Sequence, residues 1–282
     1  MMAGTLYLCA TPIGNLEDIT ARVIRTLREA DLIAAEDTRH TRALLTHFDI
    51  HTPMTSYHEH NQAARTDVLI DKLLAGINIA LVTDAGTPAI SDPGQVLCKR
   101  CIDEGIRVES LPGACALITA LTMSGMDARR FVFEGFLPAD RKERDKVLSA
   151  LKAETRTTIL YEAPHRLAKT LKVLSEVLGE RDIVLCRELT KIHEEAVPMK
   201  LSEAVKYYEE TEPRGEYVLV LSGADAGTAG SLADHALSWD GLDIKQHVAM
   251  YDQQGLDRKQ AMKAAALDRN ISRRDVYNAL LE

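Results

Sequence analysis

The segment Leu81-Val82-Thr83-Asp84-Ala85-Gly86-Thr87-Pro88-Ala89-Ile90-Ser91-Asp92-Pro93-Gly94 decides how the rest of the chain is read. Ahead of its loop, Ile79-Ala80-Leu81-Val82 is a short apolar run with the character of a buried strand. Behind it, Gln95 to Glu104 has helical spacing, with Val96, Leu97, Cys101 and Ile102 to one side. Between strand and helix stand two Gly, two Pro and two Asp. That is more turn chemistry than a joint of a few residues needs. Gly86 and Gly94 permit positive φ, while Pro88 and Pro93 fix φ and remove donors. Such a density of constrained residues predicts a rigid loop at the carboxyl end of a sheet strand, where open α/β sheets bind ligands.

Working outward, strand-like and helix-like runs alternate, which predicts a mostly parallel sheet. Thr5 to Cys9 reads as a first strand, followed by a turn and a helix from about Ile19 to Ala30, capped by Asp18 or Thr20. The turn lacks Gly-x-Gly-x-x-Gly, so the common dinucleotide fingerprint is absent. Leu32 to Ala35 is a second strand, and Glu36-Asp37-Thr38-Arg39 at its end could bind a polar substrate or simply start a helix. Ser56 to Asn61 reads as a polar loop; His58-Glu59-His60 lacks the His-Glu-x-x-His spacing of a zinc hydrolase. After the strand Val108 to Leu111, Pro112-Gly113-Ala114-Cys115 turns into a helix of small residues that can approach a ligand closely.

A second half begins near residue 127. Its strands are read at Phe131 to Phe136, Thr157 to Tyr161, Ile183 to Cys186 and Gly215 to Leu221, with helices between, giving an α+β arrangement on a mixed sheet. Gly223 to Ser231 reads as a linker. The tail from Leu232 is helical by pattern, with breaks at Gly241 and Gly255. From Gly255 onward six Lys/Arg face four acids, an excess that fits a solvated face, with contact to a phosphate backbone as the alternative. The expected divisions are 1–126, 127–224 and 225–282.

The chain has 282 residues, a formal net charge of −8, and 46% hydrophobic and 27% charged residues, the balance of an ordinary globular protein. The negative charge argues against coating nucleic acid by charge alone, though not against a local basic site. No apolar run approaches the roughly 20 residues that span a bilayer. No signal peptide is legible, so the cytoplasm is the expected compartment. Five scattered cysteines are no disulfide framework. Cys98-Lys99-Arg100-Cys101 has metal-ligand spacing without a second pair, so no metal is expected.

Eight motifs now stand in one order: Thr11-Pro12-Ile13-Gly14-Asn15-Leu16, Ala35-Glu36-Asp37-Thr38-Arg39, Ser56-Tyr57-His58-Glu59-His60-Asn61, Asp84 through Gly94, Leu111-Pro112-Gly113, Gly135-Phe136-Leu137-Pro138, Tyr161-Glu162-Ala163-Pro164-His165-Arg166 and Arg187-Glu188-Leu189-Thr190-Lys191. Together they resemble the ribosomal RNA small-subunit methyltransferase I family, the ribose 2′-O-methyltransferases of the tetrapyrrole methylase superfamily. The resemblance covers about residues 4 to 222. It implies two α/β domains with S-adenosyl-L-methionine in the cleft between them, a small C-terminal helical domain, a homodimer, and methylation of a cytidine 2′-hydroxyl in the decoding region of 16S rRNA in the small ribosomal subunit.

The resemblance also implies a cofactor pocket made by Pro12, by Asp84, Ala85, Gly86, Thr87, Pro88 and Ile90, and by Ala114 and Cys115. Tyr161, Glu162, Arg187, Glu188, Glu216 and Tyr217 complete it. A ribose hydroxyl must lose its proton during transfer, and the candidate bases are Asp37, Glu36, His58 and Lys191, with Arg39, Arg166 and Arg187 as phosphate contacts. The competing readings are a C-methyltransferase acting on a tetrapyrrole, which predicts a broad apolar trough, and a ribosome-assembly module that holds the cofactor without turnover.

Overall fold

The computed structural model describes residues 2–225, 242–253, 256–269 and 271–281. Most of the expected linker, the expected helix start at Leu232 and the breaks at Gly241 and Gly255 lie outside the described residues.

The first sheet is wholly parallel. Its strands are β1 (Thr5–Cys9), β2 (Leu32–Ala35), β3 (Met54–Ser56), β4 (Ile79–Val82) and β5 (Arg107–Leu111), in the order β3-β2-β4-β1-β5. Helices α1 (Ala21–Glu29), α2 (Thr38–His47), α3 (Gln62–Leu74) and α4 (Gly94–Asp103) connect them. The period-two rule explains the layering. Ile79 and Leu81 of β4 point to one face and pack with Leu69, Leu73 and Leu97 of α3 and α4. Ala80 and Val82 point to the other and pack with Val23, Leu27 and Leu45 of α1 and α2. A strand buried on both faces reads as an unbroken apolar run, as β4 does.

The second sheet contains β6 (Phe131–Phe136), β7 (Thr157–Glu162), β8 (Asp182–Arg187), β9 (Glu195–Lys200) and β10 (Tyr217–Leu221), in the order β6-β7-β10-β8-β9. Only β6 and β7 run parallel; the other pairings are antiparallel. Leu160, Leu185 and Leu219 bury one face together with Leu148 of α6 (Arg141–Ala153), Leu167 and Leu171 of α7 (Pro164–Leu178) and Leu201 of α8 (Leu201–Glu210). The opposite face, with Ile159, Val184 and Val218, packs against Leu117, Ala120 and Leu121 of α5 (Ala116–Ser124). A helix that follows the last strand of the first sheet thus covers the second. Both sheets fall within one compact unit, Met1–Leu148 with Arg156–Gly223.

Two strands were not visible in the sequence. The three-residue β3 offers only Met54 as an apolar residue. β9 is largely exposed and contains Pro198, which sits opposite Val184 on the sheet's outermost strand, where a missing donor leaves no ladder bond unmade. The first helix also starts later than its pattern suggested: Leu16–Asp18 form a single 3-10 turn, and Thr20, rather than Asp18, caps α1 by accepting from the Val23 N–H at 3.2 Å.

A second compact unit joins Ser149–Thr155 to the chain from Ala224 onward. Its described helices are α9 (Ile244–Gln253), α10 (Arg258–Asp268) and α11 (Arg273–Leu281). They enclose Val248, Ala261, Met262, Ala265 and Val276. His247 is buried among them, with Nε2 at 3.1 Å from Asp268 Oδ2 and Nδ1 accepting from Arg269 Nε at 3.0 Å. Burial holds its pKa below the usual histidine value, and Arg269 adds to this against the opposing pull of Asp268. A histidine depressed on folding binds fewer protons folded than unfolded. Its contribution to stability is therefore present above the ordinary value of about 6.5 and is lost as pH falls through the depressed one. The protection of α9–α11 amides against exchange, relative to the intrinsic rate at each pH, is expected to fall between pH 7.5 and pH 5, more in the wild type than in His247→Asn; an equal fall in both would place the acid sensitivity elsewhere.

Candidate active site

The loop after β4 is built by hydrogen bonds to its neighbours along the carboxyl edge of the first sheet. Thr11 N–H donates to the Gly86 carbonyl at 2.9 Å, and Gly86 N–H donates back to Thr11 at 3.1 Å, a two-bond bridge between the loops after β1 and β4. Gly86 makes this bridge at φ +87, and a Cβ there would meet Ile13 Cγ2 at 3.2 Å. Thr11 Oγ1 donates to the Thr83 carbonyl, and Thr87 Oγ1 donates to the Ala114 carbonyl at 2.9 Å, which ties the same loop to the turn after β5.

The far end of the loop is held from within. Ala89 and Ser91 take left-handed conformations, φ 68 and φ 60, each costing on the order of 1–2 kcal/mol in a residue with a side chain. The Asp92 carboxylate offsets this by accepting from the backbone N–H groups of Ala89, Ile90 and Gly94 at 3.0, 3.3 and 2.7 Å.

This loop forms one wall of a cavity of about 410 Å³, with Ile13, Cys115 and Ala116 beside it. That volume falls within the usual range for small-molecule sites. The second half supplies the opposite wall: Phe136, Tyr161, Glu162, Glu188, Leu189, Lys191, Glu216, Tyr217 and Val218. Several of these side chains are fixed. Tyr161 accepts from the Leu117 N–H at 3.2 Å, and burial pushes its phenol up to about 12. The buried Glu162 accepts from Ala163 N–H at 2.9 Å and from Thr170 Oγ1, and pairs with Arg166 Nε at 3.3 Å. Lys191 Nζ lies 2.9 Å from Glu188 Oε1, and this contact holds the Glu188 carboxyl below the ordinary range. Glu188 and Thr190 are themselves left-handed, φ 50 and φ 66.

The charged residues of the lining are mostly acidic, with Arg166 paired to Glu162 behind the wall. Glu36, Asp84, Asp92, Glu162, Glu188 and Glu216 face a single lysine, Lys191. Glu36 accepts from Thr83 Oγ1 at 2.6 Å and Asp84 accepts from the Asp37 N–H at 3.0 Å. Burial, then the neighbouring Glu36, raises the Asp84 carboxyl above its ordinary value.

Of the residues expected in the cofactor pocket, Asp84, Ala85, Gly86, Thr87, Ile90, Cys115, Tyr161, Glu162, Glu188, Glu216 and Tyr217 line the cavity, and so do two of the candidate bases, Glu36 and Lys191. Pro12, Pro88, Ala114 and Arg187 do not. Ile13 occupies the wall beside Pro12, Pro88 is buried within the loop, and Ala114 contributes a carbonyl to Thr87. Arg187 turns to Glu195 at 2.9 Å.

Asp37, Arg39 and His58 also lie outside the lining. Asp37 binds Arg39 at 2.8 Å through its side chain and caps α2, and these bonds hold its carboxyl well below the usual range. His58 Nε2 stands 3.1 Å from the Asn61 amide nitrogen. Among the described residues no group of three or more His, Cys, Asp or Glu is arranged to hold a metal ion. Sequence reasoning missed Ile13, Thr83, Ser91, Asp92, Ala116, Phe136, Ala163, Pro164, Leu189 and Val218 as lining residues. For Phe136 one signal was available: a glycine inside a strand pattern, Gly135, marks a bulge.

The family model of the tetrapyrrole (corrin/porphyrin) methylases matches residues 5–205, the span that builds both walls of this cleft up to Lys191. The chain is 49% identical to the ribosomal RNA small subunit methyltransferase I of Halalkalibacterium halodurans, covering 98% of this chain and 94% of that protein. It is 47% identical to the protein of that name from Bacillus subtilis, over 98% and 94%. It therefore belongs to the tetrapyrrole methylase family and, within it, to the ribosomal RNA small subunit methyltransferase I family. Solved structures show the same fold: diphthine synthase, at TM-score 0.60 and 13% identity, covers 81% of this chain and 94% of its own. The uroporphyrin-III C-methyltransferase of Thermus thermophilus complexed with S-adenyl homocysteine, at TM-score 0.55 and 20% identity, covers 78% and 97%.

The loop's own carboxylate gives the site its first test. Asp92→Ala is expected to cost about 1–3 kcal/mol in urea unfolding and to accelerate amide exchange across Thr83–Gly94. Unchanged exchange would mean that the Thr11 and Ala114 contacts alone hold the loop.

Proposed function

We propose that this chain transfers a methyl group from S-adenosylmethionine to the ribose 2′-hydroxyl of a cytidine in the decoding region of 16S rRNA, acting on the small ribosomal subunit as a cytoplasmic homodimer. Near-full-length identity to the ribosomal RNA methyltransferases carries the reading. We keep residues 1–126 and 127–224 as its two lobes and 225–282 as the C-terminal part.

The cavity fits the cofactor on two counts. Six carboxylates against one lysine suit a ligand that carries a sulfonium and an ammonium. Gly86 keeps the cavity wall free of a side chain at a point where any Cβ would press on Ile13. The same acidic wall disfavours a tetrapyrrole bearing carboxylates. When bound, S-adenosylmethionine supplies a methyl group already activated on sulfur.

The remaining work, positioning and deprotonation, falls to the protein. Gly86, Thr87 and Cys115 hold from one wall, and Tyr161, Glu162, Glu216 and Tyr217 from the other. Hydrogen bonds fix Thr87, Tyr161, Glu162 and Tyr217 in advance, so binding costs little reorganisation there. Among the candidate catalytic groups, Lys191 lines the cavity and is assigned to orient the ribose. Asp37 and Arg39 lie just outside, joined to the cavity through the Asp37–Asp84 hydrogen bond. Arg39, whose side chain is 91% exposed, is assigned to a phosphate, and Asp37 to aligning it. Asp84, with its raised carboxyl, is the lining group best suited to accept the hydroxyl proton. His58 is kept as a contact to the acceptor strand.

Incubation with labelled donor and small subunits lacking this methylation is expected to label a cytidine ribose. Label on a base, on a tetrapyrrole, or nowhere would overturn the reading. Gly86→Val is expected to weaken donor binding at least about tenfold, a loss of about 1.4 kcal/mol, with the far-ultraviolet circular dichroism unchanged; undiminished affinity by calorimetry would remove Gly86 from the pocket.

A further inference from the structure

The outer strand of the second sheet carries a feature that no step above uses. Along β6, Phe131 pairs with Thr157, Val132 with Thr158 and Phe133 with Ile159. Beyond Phe133 the register slips: Gly135 stands opposite Leu160 and Phe136 opposite Tyr161, so Glu134 is the extra residue of a β-bulge. Gly135 sits at φ +64, and a Cβ on it would lie 2.9 Å from Ser91 Oγ.

The bulge decides which way Phe136 faces. In a regular strand, residues three apart point to opposite faces. With one residue inserted, Phe136 joins Phe133 on the face of Ile159 and Tyr161. Both rings then meet Tyr161 edge-on, Phe133 at 4.9 Å and Phe136 at 5.7 Å between centroids. Phe133 is partly buried in the core. Phe136 is 48% exposed and lines the cavity. A left-handed glycine and a broken ladder thus aim an aromatic ring into the site, where it is braced by a tyrosine and keeps an open face. Re-aiming a side chain beside an active site is a recurrent use of bulges.

We propose that Phe136 is the stacking platform for the base of the target nucleotide. This rests on the reading of the chain as an RNA ribose methyltransferase. An open aromatic face suits any nucleobase, and a nucleotide modified in structured RNA has to be drawn out of its stack to reach a pocket. The donor also carries an aromatic base, adenine, and two positions decide between them. Phe136 belongs to an edge strand and stays half exposed, so its free face is reached from solvent, the side from which the acceptor arrives. Its neighbour Gly135 abuts the Ser91 end of the β4 loop, away from the Gly86–Thr87 end that is sewn to Thr11 and Ala114 and assigned to the donor, and the ring meets the donor-side residue Tyr161 edge-on, leaving its own face open.

The test compares the full-length wild type with Phe136→Ala, Phe136→Leu and Phe136→Tyr. It measures methyl transfer to unmethylated small subunits and S-adenosylhomocysteine affinity by calorimetry. Loss of one stacked base corresponds to about ten- to a hundredfold in kcat/KM. Phe136→Ala and Phe136→Leu are both expected to fall by that factor with nucleoside affinity within about twofold of wild type, and Phe136→Tyr to recover most of the rate. A parallel loss of S-adenosylhomocysteine affinity would assign the ring to the donor's adenine and overturn the proposal. Full activity of Phe136→Leu would reduce the ring to a space-filler, and full activity of Phe136→Ala would remove it from the site. If the wild type itself labels no ribose, the functional reading fails and the proposal falls with it.

Discussion

The bridge between Thr11 and Gly86 is the contact on which the site depends. Parallel strands place the loops after β1 and β4 side by side at one edge, but adjacency alone does not fix two loops to each other. Two backbone hydrogen bonds do, and they form because residue 86 sits at φ +87, where a side chain would be strained and would crowd Ile13. With that bridge in place, Thr87 reaches the Ala114 carbonyl and three loops become one wall. Asp92 fixes the other end by collecting three N–H groups around two left-handed residues. The loop's strain is held locally, so the wall is in position before any ligand arrives.

The opposite wall follows the same logic with side chains in place of backbone. The Glu162 side chain is buried at 2% exposure, which is tolerable because Arg166, Thr170 and the Ala163 N–H all bond to it. Tyr161 is pinned by the amide of Leu117, at the start of α5. Because α5 leaves the first sheet and packs on the second, it holds both walls to a shared element.

Much of this was legible in the residues. The β4 loop declared itself through Gly86, Pro88, Pro93 and Gly94, because positive φ and fixed φ are demands that few residue types meet. The inner strands β2 and β4 showed as apolar runs because both faces are buried. The silent features are those that sequence encodes weakly. β9 is an exposed outer strand with a proline, so no apolar pattern marks it. Gly135 hints at a bulge, but the resulting shift in the facing of Phe136 is fixed by the register against β7. Arg39 and His58 carry the residue types of a site, yet their nearest partners, Asp37 and Asn61, hold them outside the cavity.

Charge then constrains how an acidic protein can act on RNA. A cavity lined by six carboxylates repels phosphates as surely as it attracts a sulfonium. The acceptor's backbone must therefore stay at the rim while its nucleoside enters. Exposed cations are available outside the lining, Arg39 foremost among those beside the β2 edge. A nucleoside that enters without its phosphates gains little from ionic contacts inside. Its orientation has to come from shape and from a stacking surface, and a ring turned inward by a bulge meets that requirement without adding charge to a site that must stay negative for its donor.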